Sequence, residues 1–259
     1  MKVIGIDTAT AVASVALVEE GRLLLEEVHP VPGFARDASA VRERANHAEI
    51  VLPLLQRLLQ RSGVSLPEVS GLAVSLGPGS FTGLRIGLST VKGLAYGWSG
   101  SVVGVPTLLA IAMRVTSWEG LICPFLDARK KEVYAALFRA REGGLERLIE
   151  DVAFPPDRVL LEIQSLRGQE PCLFIGDGGW VYSDLIEAFL PERAFFARDE
   201  AYESTASAVA RFGAKRLAKN EADPVSSLVP TYLRPSEAEL KNKPFVGDNL
   251  LKRQEFYLS

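Results

Sequence analysis

Residues 1–20, MKVIGIDTATAVASVALVEE, predict two β-strands joined by a polar turn. The first strand, Val3–Asp7, is apolar and ends in an acidic residue, and the second, Val12–Val18, is rich in residues that favour strands. The intervening Thr8-Ala9-Thr10 has the composition of a turn. A third strand, Arg22–Val28, follows at once, so the chain is predicted to begin with an antiparallel meander.

Helices and strands then alternate through the rest of the first half. His47–Ser62 carries apolar residues at helical spacing, although Pro53 allows a kink or a later helix start. Gly71–Leu76 has the pattern of a buried strand, Thr82–Gly97 that of a second helix, and Val102–Val105 that of a fifth strand. Parallel strands joined by crossover helices, following a meander, predict a mixed sheet of the α/β class.

The second half repeats this plan. Leu121–Leu126 is a predicted strand that ends at Asp127, as the first strand ends at Asp7. The further predicted elements are strands at Val133–Phe138, Leu145–Ala153 and Cys172–Ile175 and helices at Leu108–Thr116, Asp157–Leu166, Ser183–Phe189 and Thr205–Asn220. We therefore expect two similar subdomains, 1–104 plus about 204–222 and 105–203, followed by a C-terminal tail at 223–259.

Composition is that of an ordinary globular protein, with 259 residues, 47% hydrophobic, and a net charge of −3. Such a charge gives no bulk attraction to RNA or to an anionic membrane. Asp7 interrupts the only stretch that resembles a signal peptide, and Val102–Met113, the longest near-apolar stretch, is shorter than the ~18 residues of a membrane span. Cys123 and Cys172 lie in apolar runs typical of reduced core thiols. We expect a cytoplasmic protein.

Two acidic strand ends across a repeat resemble the cleft of the actin, Hsp70 and sugar-kinase superfamily. There the turns D-x-G-T and D-x-G-x-G let backbone N–H groups approach the phosphates of ATP. Here the turns are Asp7-Thr8-Ala9-Thr10 and Asp127-Ala128-Arg129-Lys130, so both glycine positions carry side chains. We interpret the two turns as strand ends inherited from the fold, since turn chemistry alone explains Asp and Thr there, and the site as a vestigial nucleotide cleft; the alternative is a working ATP site. Its residues are Asp7, Thr8, Thr10, Asp127, Gly176, Gly178 and Gly179.

The segment GPGSFTGLRIGLSTVKGLA, residues 77–95, is the most unusual in the chain. On a helical wheel its small residues share one face, and glycine inside a helix costs about 1 kcal/mol relative to alanine. Either this chain's own backbone approaches that face closely, or the face docks a matching helix of a partner. The docking hypothesis predicts that Gly87→Arg removes partner binding with little loss of stability. It assigns partner binding to Phe81, Thr82, Gly83, Ile86, Gly87, Thr90, Leu94 and Gly97.

Several motifs together resemble the TsaB family, formerly called YeaZ, bacterial proteins required for threonylcarbamoyladenosine in tRNA. They are IGIDTAT and SVAL near the start, HAE at 47–49, the segment 77–95, GVP at 104–106, LDARKKEVY at 126–134 and PTYLRPSEAE at 230–239. The resemblance implies an actin-like fold (ASKHA, ribonuclease H-like) and a non-catalytic scaffold that activates the paralogous transferase TsaD, with the ATPase TsaE. It also implies that the helix after the GPG turn pairs with TsaD or with its own copy, and that tRNA is reached only through the partner.

The same resemblance implies that a metal site is missing. TsaD-type proteins carry a motif similar to G-V-N-H-L-E-G-H, with two His ligands four residues apart. Residues 104–111 here are GVPTLLAI, which places Thr107 and Ile111 at the ligand positions. His29 and His47 are the only histidines and lie far apart in the sequence. We therefore expect no metal, cofactor or catalytic residue, and the alternatives are an actin-like ATPase or sugar kinase, or a metalloprotease.

Two groups of cations remain open in meaning. Arg211, Lys215, Arg216 and Lys219 lie on the last predicted helix, either as a solvated face or as contacts to tRNA phosphates. Arg129-Lys130-Lys131, in the second turn, face either an acidic partner surface or a nucleotide.

Overall fold

The computed structural model describes residues 1–29, 47–115, 117–166, 168–197 and 204–234. Residues 30–46 and those beyond Arg234 lie outside the described residues, as does the last residue of the helix predicted at Leu108–Thr116. Within the described ranges, no helix is both long enough and apolar enough to cross a bilayer.

The first half forms a five-stranded mixed sheet in the order β3-β2-β1-β4-β5. The meander strands pair antiparallel, whereas β1, β4 and β5 run parallel, with Val3 opposite Gly71. The strands are β1 (Lys2–Asp7), β2 (Ala13–Glu19), β3 (Arg22–His29), β4 (Gly71–Gly77) and β5 (Ser101–Pro106). This arrangement confirms the predicted antiparallel start and parallel continuation.

The second half has the same topology, in the order β8-β7-β6-β9-β10. Its strands are β6 (Leu121–Arg129), β7 (Glu132–Arg141), β8 (Gly144–Phe154), β9 (Cys172–Ile175) and β10 (Ala194–Phe196). Position for position, β6 corresponds to β1 and β9 to β4, so the predicted repeat is confirmed and the fold is actin-like α/β. The three-residue β10, which completes the correspondence, is too short to give a periodic signal and is missing from the sequence prediction.

Seven helices of the described chain connect and cover the sheets. They are α1 (His47–Ser62), α2 (Phe81–Tyr96), α3 (Thr107–Ala112), α4 (Pro156–Ser165), α5 (Asp177–Val181), α6 (Ser183–Phe189) and α7 (Ala206–Leu217). Helix α1 runs unbroken through Pro53, whose ring lies on the exposed side, so the later start is not used. Ile4 and Ile6 of β1 pack against α1 and α2 in one core cluster.

The two halves exchange their last helices. Helix α3 follows β5 in the chain, yet Leu108 and Ile111 pack with Ile122 and Phe138 of the second sheet. Helix α7 follows β10, yet its alanine and valine side chains pack with Val3 of the first sheet. One face of each sheet is therefore covered by the helix that follows the last strand of the other sheet.

Both cysteines lie in the core of the second half. Cys123 on β6 and Cys172 on β9 are free thiols and fully buried, which confirms the prediction of core residues. Burial raises the pKa of the Cys123 thiol well above its ordinary value, and the neighbouring Cys172 thiol adds to the rise. The Cys123 thiol therefore stays protonated and packs as a small apolar group.

The approach of α7 to β1 gives a direct test of the packing. An ideal Cβ on Gly5 would overlap the Ala206 carbonyl oxygen and would lie 2.6 Å from the Ala210 nitrogen. We expect Gly5→Ala to lower the free energy of unfolding by about 1–3 kcal/mol, since backbone atoms on both sides must move. Gly93→Ala is the matched control, because no atom lies within 4 Å of its added methyl. Urea unfolding should show the control to be more stable than the native chain; equal stability of the two variants would contradict this packing.

Candidate functional site

Asp7 closes the end of β1 and is almost fully buried, with 1% of its surface exposed. Its Oδ1 accepts a hydrogen bond from the Ala9 N–H at 3.2 Å, and its Oδ2 accepts one from the Thr205 hydroxyl, just before α7. Both carboxylate oxygens are therefore engaged inside the fold. In an actin-like ATPase this side chain would face metal and water. Here its hydrogen bond to Thr205 links β1 to the start of α7.

The β1–β2 turn is covered by the start of α2. The Thr8 hydroxyl donates to the Gly83 carbonyl at 2.8 Å, and the Ser80 N–H donates to the Ala9 carbonyl at 2.7 Å. Thr10 bonds only within the turn, to Val12. Ala9 is buried, and its N–H is used in the hydrogen bond to Asp7.

The second turn has a different local structure. Asp127 Oδ1 accepts the Arg129 N–H at 2.9 Å, and the Arg129 guanidinium lies 3.3 Å from Asp127 Oδ2. Arg129, Lys130 and Lys131 all have left-handed backbone, with φ of 63°, 55° and 62°. Such φ values favour glycine, so the cations keep the tight turn at a cost in strain.

The predicted glycines of the second cleft fit around a buried carboxylate. Asp177 Oδ1 accepts the N–H groups of Asp127 and Gly178, both at 2.9 Å. An ideal Cβ on Gly176 or Gly178 would lie 2.8 Å from the Phe125 carbonyl oxygen, so both glycines let α5 approach β6. Gly179 is also buried, with Phe174 nearest to its Cβ position at 3.4 Å. Sequence reasoning missed Asp177, which links the two parts of this site.

The surroundings of Asp177 also shift its pKa. Burial raises its pKa above the ordinary value of 3.8, against two N–H donors that lower it, and the neighbouring Asp127 carboxylate adds to the rise. The predicted cleft residues thus lie at three places, the β1–β2 turn, the end of β6 and the start of α5, and their described bonds are those of turn and packing chemistry.

The buried side of α2 explains two of the helix glycines. Gly83 and Gly87 are both buried, and an ideal Cβ on Gly87 would overlap the Thr8 hydroxyl. Their assignment to partner binding is therefore wrong, because this chain's own β1–β2 turn occupies that face. The expectation that Gly87→Arg leaves stability intact is wrong for the same reason.

The outward side of α2 is a separate surface. Thr82, Ser89, Gly93 and Tyr96 are exposed along it, and Tyr96 is 97% exposed. In the described part of the chain, no atom outside the local backbone lies within 4 Å of an added Cβ on Gly93, or on Gly97 beyond the helix end. We call this the outward face of α2. The wheel placed Tyr96 with the polar residues and left Gly93 out of the partner-binding set, although their spacing with Ser89 is helical.

The other predicted partner-binding residues lie beside this face or against the chain. Ile86 and Leu94 are half-buried and pack on the main core of the first half, and Thr90 is half-buried beside them. Phe81 stacks on Tyr232, with ring centroids 4.5 Å apart. The outward face of α2 therefore leaves out several of the residues that were predicted to bind a partner.

Residues 230–234, PTYLR, connect the two halves on the outside. The Thr231 N–H donates to the Leu76 carbonyl at 2.7 Å, and the Arg85 Nε donates to the Tyr232 hydroxyl at 2.8 Å. Two residues on, Arg234 donates to the Ala128 carbonyl at 2.8 Å and pairs with Glu132 at 2.8 Å. Residues 230–234, which belong to a motif of the family resemblance, thus run from α2 to the β6–β7 turn. We call them the strap.

Two further predicted groups have internal partners. Arg216 forms a two-pronged ion pair with Asp223, at 2.8 and 3.0 Å, and so anchors the first residue of the predicted C-terminal tail. Thr107 is buried and its hydroxyl accepts the Gly77 N–H at 3.0 Å, whereas Ile111 lies in the core. The described residues contain no group of three or more His, Cys, Asp or Glu side chains suited to a metal ion.

Comparison with known proteins agrees with this geometry. Residues 42–242 match the family model for TsaD, described as tRNA N6-adenosine threonylcarbamoyltransferase. The chain is 32% identical to the tRNA threonylcarbamoyladenosine biosynthesis protein TsaB of Escherichia coli, over 90% of this chain and 95% of that protein. The chain belongs to the TsaB family.

A structure and a transferase extend the comparison. YeaZ from Pseudomonas aeruginosa superposes with a TM-score of 0.70 at 27% identity, over 90% of this chain and 99% of that chain. The tRNA N6-adenosine threonylcarbamoyltransferase of Methylorubrum populi is 39% identical, over 49% of this chain and 39% of that enzyme. This TsaB-family member therefore shares part of its fold with a larger transferase.

The contact between Thr8 and Gly87 predicts coupled substitutions. We expect Gly87→Ala to lower the free energy of unfolding by about 1–3 kcal/mol, because the new methyl overlaps the Thr8 hydroxyl. In a Thr8→Ala background that hydroxyl is gone, so the same change should cost less, with a coupling energy of roughly 0.5 kcal/mol or more. Chemical unfolding of the four proteins gives the cycle, and strict additivity would count against the contact.

Asp177 predicts a specific pH dependence. Since its pKa is higher in the folded state, the folded chain holds this proton more tightly than the unfolded chain, and the resulting stability is lost as pH rises from about 3.8 through the raised value. Asp177→Asn keeps the acceptor for both N–H groups and removes the charge, so it should abolish that loss and be at least as stable at pH 7. The exposed Asp157→Asn is the control, and unfolding curves from pH 4 to 8 measure both.

Proposed function

We propose that this chain is a non-catalytic scaffold that activates threonylcarbamoyl transfer to tRNA adenosine by a TsaD-type paralogue, together with a TsaE-type ATPase. The names of its TsaB relatives support a role in threonylcarbamoyladenosine biosynthesis. Its partial identity with a transferase supports a paralogous partner, because a fold shared by two chains lets equivalent helices pair with near two-fold symmetry.

The observation that carries the proposal is the outward face of α2. A glycine inside a helix lowers stability by about 1 kcal/mol relative to alanine. At position 87 the close contact with Thr8 explains why the residue is a glycine. Gly93 has no such neighbour, so the described part of the chain gives no packing reason for it. An exposed tyrosine beside small residues is a surface on which a second helix can approach closely.

The bonds at the former cleft support a role without chemistry. Both oxygens of Asp7 and the hydroxyl of Thr107 are used in holding the fold. A catalytic carboxylate needs an oxygen directed at substrate, metal or water, and Asp7 is buried away from all three. In this proposal the partner supplies metal and catalysis, tRNA is contacted only through the partner, and the outward face also pairs with its own copy.

The deciding experiment is reconstitution of threonylcarbamoyl transfer to tRNA. The cognate TsaD-type paralogue, the TsaE-type ATPase, ATP and the threonylcarbamoyl donor are combined with and without this chain. We expect modified tRNA only when the chain is present, and no nucleotide turnover by the chain alone. Transfer that proceeds equally without it would remove the proposed function.

One substitution separates the outward face from the fold. Gly93→Trp fills open space, so we expect the free energy of unfolding to stay within about 1 kcal/mol of the native value. Affinity for the paralogue should fall by roughly tenfold or more, because the ring blocks close helix approach. Ala218→Trp, at the exposed end of α7, is the control and should bind normally in calorimetry. Native affinity of the Gly93 variant would show that α2 is not the docking helix.

A further inference from the structure

A groove runs beside the outward face of α2, between that helix and residues 228–232. Its volume is about 480 Å³, which is within the range of natural ligand pockets. Leu88, Leu228, Val229 and Pro230 line it with aliphatic surface, and Val229 is 64% exposed. Ser89 both lines the groove and lies on the outward face, so the two surfaces are continuous.

Two cations border this groove. Arg85 and Lys92 are seven residues apart on α2, which places them about 10 Å apart along the same side of the helix. The described contacts of Arg85 are the Tyr232 hydroxyl and the aromatic rings of Phe81 and Tyr232. Within the described part of the chain, neither cation has a carboxylate within 4.0 Å, in contrast to Arg216, Arg139 and Arg234. The groove therefore combines an aliphatic floor with positive charge that this part of the molecule does not neutralise.

We propose that this groove binds an acidic, aliphatic segment of the partner protein, with apolar side chains on its floor and carboxylates at Arg85 and Lys92. The inference rests on the proposed function and specifies the chemistry of the partner there. A carboxylate is the natural counter-ion for both cations, and Arg85 is held in place by the Phe81 ring at 4.0 Å.

The groove suits a polypeptide better than a nucleic acid. Single-stranded nucleic acids bind where aromatic rings present free faces to the bases. Among the described residues that line the groove, Tyr232 is the one aromatic side chain, and it already stacks on Phe81. The floor is aliphatic, and the whole chain carries a net charge of −3. These features favour a protein segment with a few acidic residues.

The test uses one cation and one floor residue. Lys92→Glu reverses a charge that has no described ion-pair partner, and Val229→Asp places a carboxylate on an exposed part of the floor. Lys215→Glu, on the exposed side of α7, makes the same charge change away from the groove. Binding to the purified TsaD-type paralogue is measured by calorimetry at low and high salt, with thermal unfolding as the check on folding.

We expect Lys92→Glu and Val229→Asp to weaken binding by about tenfold at low salt, and the effect of Lys92→Glu to shrink at high salt through screening. Lys215→Glu should bind like the native chain, and all three should unfold near the native temperature.

Three other outcomes are decisive. If the native chain binds the paralogue and both groove variants bind like Lys215→Glu, the groove inference is overturned while the proposed function stands. If the native chain does not bind the paralogue, both are rejected. If Lys92→Glu weakens binding to purified tRNA and leaves paralogue binding unchanged, the groove is a nucleic-acid surface, which also overturns the inference.

Discussion

The contact between the β1–β2 turn and the first two turns of α2 determines how the rest of the candidate site is arranged. The Thr8 hydroxyl reaches the Gly83 carbonyl, and Gly87 lacks a side chain where that hydroxyl lies. This contact covers the β1–β2 turn and fixes which side of α2 faces inward. The opposite side, with Gly93 and Tyr96, is left outward as a consequence. One packing contact thus accounts both for the covered β1–β2 turn and for the exposed helix face.

In the second half, a different set of hydrogen bonds occupies the turn. A related cleft would need backbone N–H groups at its turn, but Asp177 uses those of Asp127 and Gly178. Arg234 then covers the neighbouring turn by bonding its carbonyl groups. The strap also contains Tyr232, which contacts Arg85 and Phe81 of α2. The surface of α2 and the β6–β7 turn are therefore joined by direct contacts. The two turns thus support the outward-facing helix from inside the fold.

Much of this architecture could be predicted from the sequence because periodic apolar patterns are local. The first strand and the helix 82–97 are predicted within one residue of their observed ends, and the strand 121–126 within three, because β6 continues to Arg129. The three-residue β10 was missed since it holds too few residues for a pattern. The error at Gly83 and Gly87 has another cause. A helical wheel shows that a face is small, but only the contact with Thr8, 75 residues away in sequence from Gly83, shows what fills it.

The exchange of α3 and α7 has a consequence for how the protein is made. A ribosome releases the chain from its N-terminus, so the five strands of the first sheet emerge well before α7, at residues 206–217. Until then the surface around Val3 and Ala73 has no cover from the helix that buries it in the finished molecule. The apolar face of the first sheet therefore stays open to solvent and to chaperones until α7 has been synthesised.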